Sequence, residues 1–225
     1  MTPPTALSAF SGVGGFDLGL EQAHFDVLGC IESDEVARRS LKANRPEWPI
    51  LEPGDIELLA SELHPNQLGL SPGELTVLVG APPCQPYSKA ALWASGSWAG
   101  FADPRAKPLL SFMELVERFQ PRAVLMENVQ GFVYGKHSVL PLIQELFGGI
   151  NERTDCGYRV DARLINAADF GVPQHRRRAI VVALRDDLEM TWPSATHHER
   201  PTRAWDALAD IPPEVHPPVA SGRWA

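Results

Sequence analysis

Cys84 stands among prolines in Ala81-Pro82-Pro83-Cys84-Gln85-Pro86. Prolines restrict the backbone and hold a thiol at a fixed place. A cysteine that only fills space does not need such a frame. The thiolate is the reactive form, and nearby positive charge raises its fraction. Glu127, in Glu127-Asn128-Val129, ends a second apolar run of the same type. A carboxylate is a poor base for a thiolate, because both carry negative charge. It suits an acid that acts on a substrate ring. Taken singly, Cys84 also reads as a buried cysteine in a proline loop, and Glu127 as a satisfied strand-end carboxylate.

A second constellation lies near the N-terminus. Phe10-Ser11-Gly12-Val13-Gly14-Gly15 follows an apolar run and opens a helical pattern. Glycines there let the backbone approach a ligand and expose helix-start N–H groups. Glu32 comes 20 residues after Gly12, at the end of the next apolar run. A carboxylate at that place accepts hydrogen bonds from ribose hydroxyls. A dinucleotide fingerprint would need a third glycine where Asp17 stands, so a nucleoside-like ligand fits better than a dinucleotide. In isolation the pattern reads equally as a glycine turn with a surface acid. Asp55, in Gly54-Asp55-Ile56, offers an acceptor for an adenine amino group or is an ordinary turn residue.

The elements that must position these residues alternate. Thr5–Phe10, Phe25–Glu32, Thr76–Gly80 and Ala123–Glu127 read as buried strands. Between them, Asp34–Asn44 is helix-compatible with Ser33 as N-cap, and Leu109–Phe119 has apolar residues at helical spacing. Val139–Phe147 reads as a helix closed by Gly148-Gly149. Arg159–Ile165 and Arg178–Leu184 read as late strands, and Thr202–Ala209 as a short helix. Strands separated by helices predict an α/β fold with a mostly parallel sheet and helices on both faces. Ligands bind such sheets at the carboxyl ends of the strands. Gly12–Gly15, Glu32, Cys84 and Glu127-Asn128 all fall at such ends.

The chain has 225 residues, 44% of them hydrophobic, enough for one sizeable core. Three cysteines at wide spacing, without a CxxC pair, argue against a disulfide framework or a zinc site. His197-His198 lacks a third ligand in an obvious position, and no metal is expected. The N-terminus lacks signal-peptide features and no apolar run could span a bilayer, so a cytoplasmic protein is expected. The net charge of −8 opposes a nucleic-acid partner, yet Arg176-Arg177-Arg178 forms a local positive cluster, and net charge does not exclude one basic cleft.

FSGVGGF, ESD, GDI, APPCQPYS, FADPR, ENVQGF and PQHRRR occur here in an order and spacing that resembles the DNA cytosine-5 methyltransferases. The match runs from about Leu7 to Leu184. The resemblance implies a Rossmann-like S-adenosylmethionine-dependent methyltransferase fold, a seven-stranded sheet with one antiparallel strand. It implies DNA as substrate and S-adenosylmethionine as cofactor. By the same resemblance, Phe10, Gly12, Gly14 and Gly15 form the cofactor loop. Glu32 holds the ribose hydroxyls, Asp55 meets the adenine, and Ile56 and Pro83 complete the cofactor set. Cys84 attacks cytosine C6, Glu127 hydrogen-bonds or protonates N3, and Arg178 contacts the flipped base with Arg176 beside it. Ser88–Gly100, with Trp93 and Trp98, resembles the loop that closes over DNA.

The resemblance implies a catalytic domain over 1–190 and a proline-rich tail over 191–225 leading toward a target-recognition domain that these residues do not contain. Ser8 stands where many members carry an aspartate. The expectation is one half of a split enzyme or a truncated product, with a second chain supplying target recognition. A tRNA cytosine-5 methyltransferase and a non-catalytic S-adenosylmethionine-binding fragment are the alternatives. An amino-methylating DNA enzyme fits less well, since Cys84 occupies the place of its aromatic residue.

Overall fold

The structure, a computed structural model, describes residues 2–83, 106–135 and 138–210. Its elements are β1 (Thr5–Ala9), α1 (Gly15–Gln22), β2 (Asp26–Ile31), α2 (Glu35–Asn44), α3 (Ile56–Glu62), β3 (Val77–Gly80), α4 (Lys107–Phe119), β4 (Ala123–Asn128), α5 (Leu140–Thr154), β5 (Arg159–Asn166), β6 (Arg177–Leu184) and α6 (Ala204–Leu208). The chain divides into two compact units, Met1–Leu164 with Arg178–Thr191, and Ile165–Arg177 with Trp192–Ala225.

The strands form one six-stranded sheet in the order β2-β1-β3-β4-β6-β5. β1 pairs in parallel with β2 and β3, and β3 with β4. β6 runs antiparallel to β4. The seven strands implied by the resemblance are thus six among the described residues. Beside β2, where one more strand could pair, Ile50 makes only a single parallel bridge to Cys30. Pro49 and Pro53 stand on either side of that bridge, and proline cannot donate to a ladder.

Alternation along the strands sorts the core into two layers. Leu7 and Leu78 point to one face, where they join Leu59, Phe112, Phe119, Phe132 and Phe147 from α3, α4, α5 and the turn after β4. Ala6, Val77 and Val79 point to the other, against Leu20 of α1, Leu41 of α2 and Trp48. This is the period of 2 expected for strands covered on both sides. Each fully buried phenylalanine contributes roughly 1.5–3 kcal/mol of hydrophobic stabilisation.

Several boundaries differ from the sequence reading, each for a local reason. α2 is capped by Asp34, not Ser33, because the Asp34 carboxylate accepts the Ala37 N–H at 2.7 Å. α5 runs through Gly148-Gly149 and ends at Asp155 in the left-handed region. Ile143, Phe147 and Ile150 continue its buried stripe, and tertiary packing overrides the roughly 1 kcal/mol cost of each helical glycine. α3 is a helix that sequence reasoning left unassigned, with Asp55 as its N-cap. Among the described residues, no helix is long and apolar enough to cross a membrane.

In the second unit, a short turn over Ala167–Phe170 is capped by the Asn166 side chain. The Asp169 carbonyl accepts N–H bonds from Thr196 and His197 at 2.9 and 2.8 Å. His198 Nδ1 lies 3.4 Å from the Asp169 carboxylate. α6 buries none of its side chains.

Gly80, the last residue of β3, fixes how closely α4 approaches the sheet. A Cβ there would lie 2.5 Å from Cε2 of Phe112, itself fully buried. Gly80→Ala must therefore displace the Phe112 ring. We predict a loss of about 1–3 kcal/mol of stability, read as a lower urea midpoint with an unchanged slope. An unaltered midpoint would show that the ring yields freely.

Candidate active site

The register of the parallel strands places their carboxyl ends abreast. Ala9 pairs with Ile31 on one side and Gly80 on the other, and Gly80 pairs with Met126. The residues that follow these four, Phe10, Glu32, Ala81 and Glu127, therefore emerge along one edge of the sheet. β6 contributes at the same edge because it is antiparallel. Asn128 pairs with Ala179, so the beginning of β6 meets the end of β4, and Arg178 stands beside Glu127.

At the left of this edge is a loop held from two directions. Phe10 has a φ of +57°, and its half-buried ring lies 6.4 Å from that of Phe112. Ser11 N–H donates to the Ile31 carbonyl at 3.2 Å, and Gly14 N–H closes the turn onto the Ser11 carbonyl at 2.9 Å. Gly14, in the left-handed region, is the N-cap of α1. The Glu32 carboxylate accepts Gly12 N–H on one oxygen and Asp34 N–H on the other, both at 2.7 Å. Glu32 is thereby oriented by its own backbone, with lone pairs remaining for further donors. A Cβ on Gly12 would meet nothing within 4 Å, and Val13 and Gly15 are exposed. The loop is thus open on its outer side.

Gly54 brings the next segment against Glu32. Its φ is +85°, and a Cβ there would stand 2.2 Å from the Glu32 carbonyl oxygen, so no other residue fits. Arg38 ties the segment down by donating to the Pro53 carbonyl at 2.9 Å and pairing with Glu52. Asp55 is exposed, and one of its oxygens caps α3 by accepting Glu57 N–H at 2.8 Å. Ile56 is buried in the core and anchors that helix start. The donor set fits an adenosyl ligand: an oriented carboxylate for a diol, an exposed carboxylate for an amino group, and N–H groups of a glycine turn.

At the right of the edge, Glu127 and Arg178 form an ion pair of 2.7 Å, Nε to Oε1. Their side chains are 25% and 28% exposed, buried enough for a charge-assisted bond yet still reachable. Between the two halves runs the proline loop. Asn128, 4% exposed, donates from Nδ2 to the Pro82 carbonyl at 2.8 Å. Its Oδ1 accepts Val129 N–H at 2.9 Å. Asn128 therefore ties the approach to Cys84 onto the end of β4. Pro83 is exposed. Cys84 itself, and the Ser88–Gly100 loop with Trp93 and Trp98, lie outside the described residues.

Arg176 is placed in the second unit. It is exposed, its N–H bonds Asn166 Oδ1 at 3.1 Å, and its carbonyl accepts Ala167 N–H at 2.9 Å. Sequence reasoning gave no role to Asn128 or Arg38. An asparagine directly after a strand-end acid was the available signal for the first. The Arg38 clasp reaches 15 residues along the chain, and no local pattern marks it.

The Pro82 clamp gives a specific expectation. Asn128→Asp keeps the acceptor for Val129 N–H but turns a carboxylate toward a carbonyl oxygen. We predict a 10- to 100-fold slower covalent capture of a cytosine analogue, about 1.4–2.7 kcal/mol, with cofactor affinity unchanged. Equal losses in both would assign Asn128 to general stability.

Comparison with known proteins agrees with this geometry. The profile of the C-5 cytosine-specific DNA methylase family matches residues 5–222. The type II methyltransferase M.AquIA of Picosynechococcus is 34% identical over 194 residues, covering 85% of this chain and 76% of that protein. M.NgoPII of Neisseria gonorrhoeae is 33% identical over 189 residues, 84% of this chain and 50% of its own. The chain thus spans about half the length of M.NgoPII and three quarters of M.AquIA. A protein of an E. coli prophage, described as a DNA modification methyltransferase, superposes with a TM-score of 0.70 at 25% identity, over 93% of this chain and 56% of its own. Spodoptera frugiperda DNMT2 shares the fold with a TM-score of 0.59 at 24% identity, over 84% of this chain and 52% of its own. With its glycine turn, its oriented Glu32 and its Glu127–Arg178 pair on the edge of a methyltransferase-like sheet, the chain belongs to the C-5 cytosine-specific DNA methylase family.

Proposed function

We propose that this chain is the catalytic, S-adenosylmethionine-binding part of a DNA cytosine-5 methyltransferase with Cys84 as nucleophile. The observation that supports this best is the Glu127–Arg178 pair, on the same sheet edge as the proline loop that Asn128 holds. Family membership and the type II methyltransferase relatives support the reaction class and a restriction-modification setting.

The chemistry follows from the substrate. C5 of cytosine is a weak nucleophile. Addition of the Cys84 thiolate across C6 makes C5 enamine-like. Glu127 protonates or hydrogen-bonds N3, so negative charge does not accumulate on the ring. Arg178 orients Glu127 and faces the base. Bound S-adenosylmethionine supplies an electrophilic methyl group. Phe10, Gly12, Gly14, Gly15, Glu32, Asp55, Ile56 and Pro83 form or support its pocket. Loss of the C5 proton and of the thiolate then restores the aromatic ring. The target base reaches the pocket only by leaving the duplex.

The test is covalent trapping on duplex DNA carrying 5-fluorocytosine, in the presence of S-adenosylmethionine. Fluorine cannot leave C5 as a proton does, so an active protein stays attached through Cys84. We expect an SDS-resistant complex that Cys84→Ala abolishes and Glu127→Gln slows by about 100-fold or more. A complex that survives Cys84→Ala overturns the assignment. Preferential trapping on fluorocytosine-containing tRNA would shift the substrate from DNA to RNA.

A further inference from the structure

Beneath the glycine turn lies a buried acid that the reaction above does not use. Asp17 is on the inner face of α1, three residues before Leu20, and is fully buried. Its Oδ1 accepts the Cys30 thiol of β2 at 3.4 Å. Its Oδ2 has no hydrogen-bond partner among the described residues. Ser8 of β1 and Ser11 of the loop face each other here, hydroxyl to hydroxyl at 3.0 Å. The backbone of Ser11 anchors the turn to Ile31 and accepts Gly14 N–H. Gly14 in turn sits against Leu41 and Trp48, leaving no space for a Cβ. One small polar cluster thus joins β1, β2, the start of α1 and the underside of the turn whose outer side carries Gly12 N–H and Glu32.

A buried carboxyl with an idle oxygen is costly unless it is neutral. Burial raises the Asp17 pKa above the ordinary carboxylate value of 3.8, and the neighbouring polar groups of Ser8, Cys30 and Ser11 oppose this only in part. Burial also pushes Cys30 up to about 12, so it stays a thiol and a donor. The groups that face Asp17 are a thiol from β2 and hydroxyls from β1 and the loop, and none of them carries a compensating positive charge.

We propose that Asp17 is a positioning residue of the cofactor loop, its buried carboxyl holding the Ser11–Gly14 turn from below and so setting the affinity for S-adenosylmethionine. The inference rests on the cofactor reading above but acts through the loop, not through contact with the ligand. The folded protein keeps the Asp17 proton to higher pH than the unfolded chain does. The contribution of the acid form is therefore complete below the ordinary carboxylate range and is lost as pH rises through the folded value.

Two measurements on the full chain test this. Calorimetry gives the dissociation constant for S-adenosylmethionine as pH is raised from the ordinary carboxylate range through neutrality, and amide exchange at Gly12 and Gly14 reports the loop without ligand. Asp17→Ala should weaken binding about ten-fold, equivalent to about 1.4 kcal/mol, and speed exchange at both glycines. Asp17→Asn, neutral at every pH and still able to hydrogen-bond, should restore binding and abolish its decline with pH. Unchanged affinity and exchange in Asp17→Ala, with only a lower melting temperature, overturns the proposal. If Asp17→Ala does not fold, the Asn variant decides, and a decline with pH equal to that of the wild type refutes it. If the wild type takes up no S-adenosylmethionine, the cofactor reading fails separately, and exchange at Gly12 and Gly14 in the Asn variant across pH still decides the role of Asp17.

Discussion

The site depends on backbone hydrogen bonds that hold four parallel strands in one register. Because Ile31, Ala9, Gly80 and Met126 stand abreast, the groups one residue further on are delivered to a common edge. A slip of one residue in any strand would turn its side chains to the opposite face. The two packed layers oppose such a slip, since alternate residues of β1 and β3 belong to different cores. The hydrophobic pattern is thus also what aligns Glu32 with Glu127.

The antiparallel β6 solves a different problem. A parallel strand presents at this edge only the residues that follow it. By running backwards, β6 presents the residues that begin it, and Arg178 reaches Glu127 without a loop. The cation is carried by a sheet rather than by a flexible connection, which favours a fixed geometry for the acid. β4 then serves twice, with Glu127 toward Arg178 and Asn128 toward Pro82.

Much of this was legible in the sequence. Alternating apolar runs gave the strands, and their endings in Gly12–Gly15, Glu32 and Glu127 gave the edge. The motif order brought the family into view. What escaped was non-local. Nothing near Gly148-Gly149 indicates that buried Ile150 carries the helix onward. Asp55 looked like a turn residue because the helix it caps is only seven residues long. The Asn128 and Arg38 bonds depend on chain segments meeting in space, and Asp17 reads from sequence only as a misplaced glycine. That six strands and not seven are found among the described residues has a plainer cause, since Pro49 and Pro53 on either side of Ile50 leave room for one bridge.

Glu32 has both carboxylate oxygens engaged by backbone N–H groups of its own chain. A receptor that must first freeze its loop spends part of its interaction energy on ordering. Here the bonds that orient Glu32 are made within the chain itself. On the cofactor reading proposed above, the cost of aiming this carboxylate is met by folding and not by each arriving nucleoside.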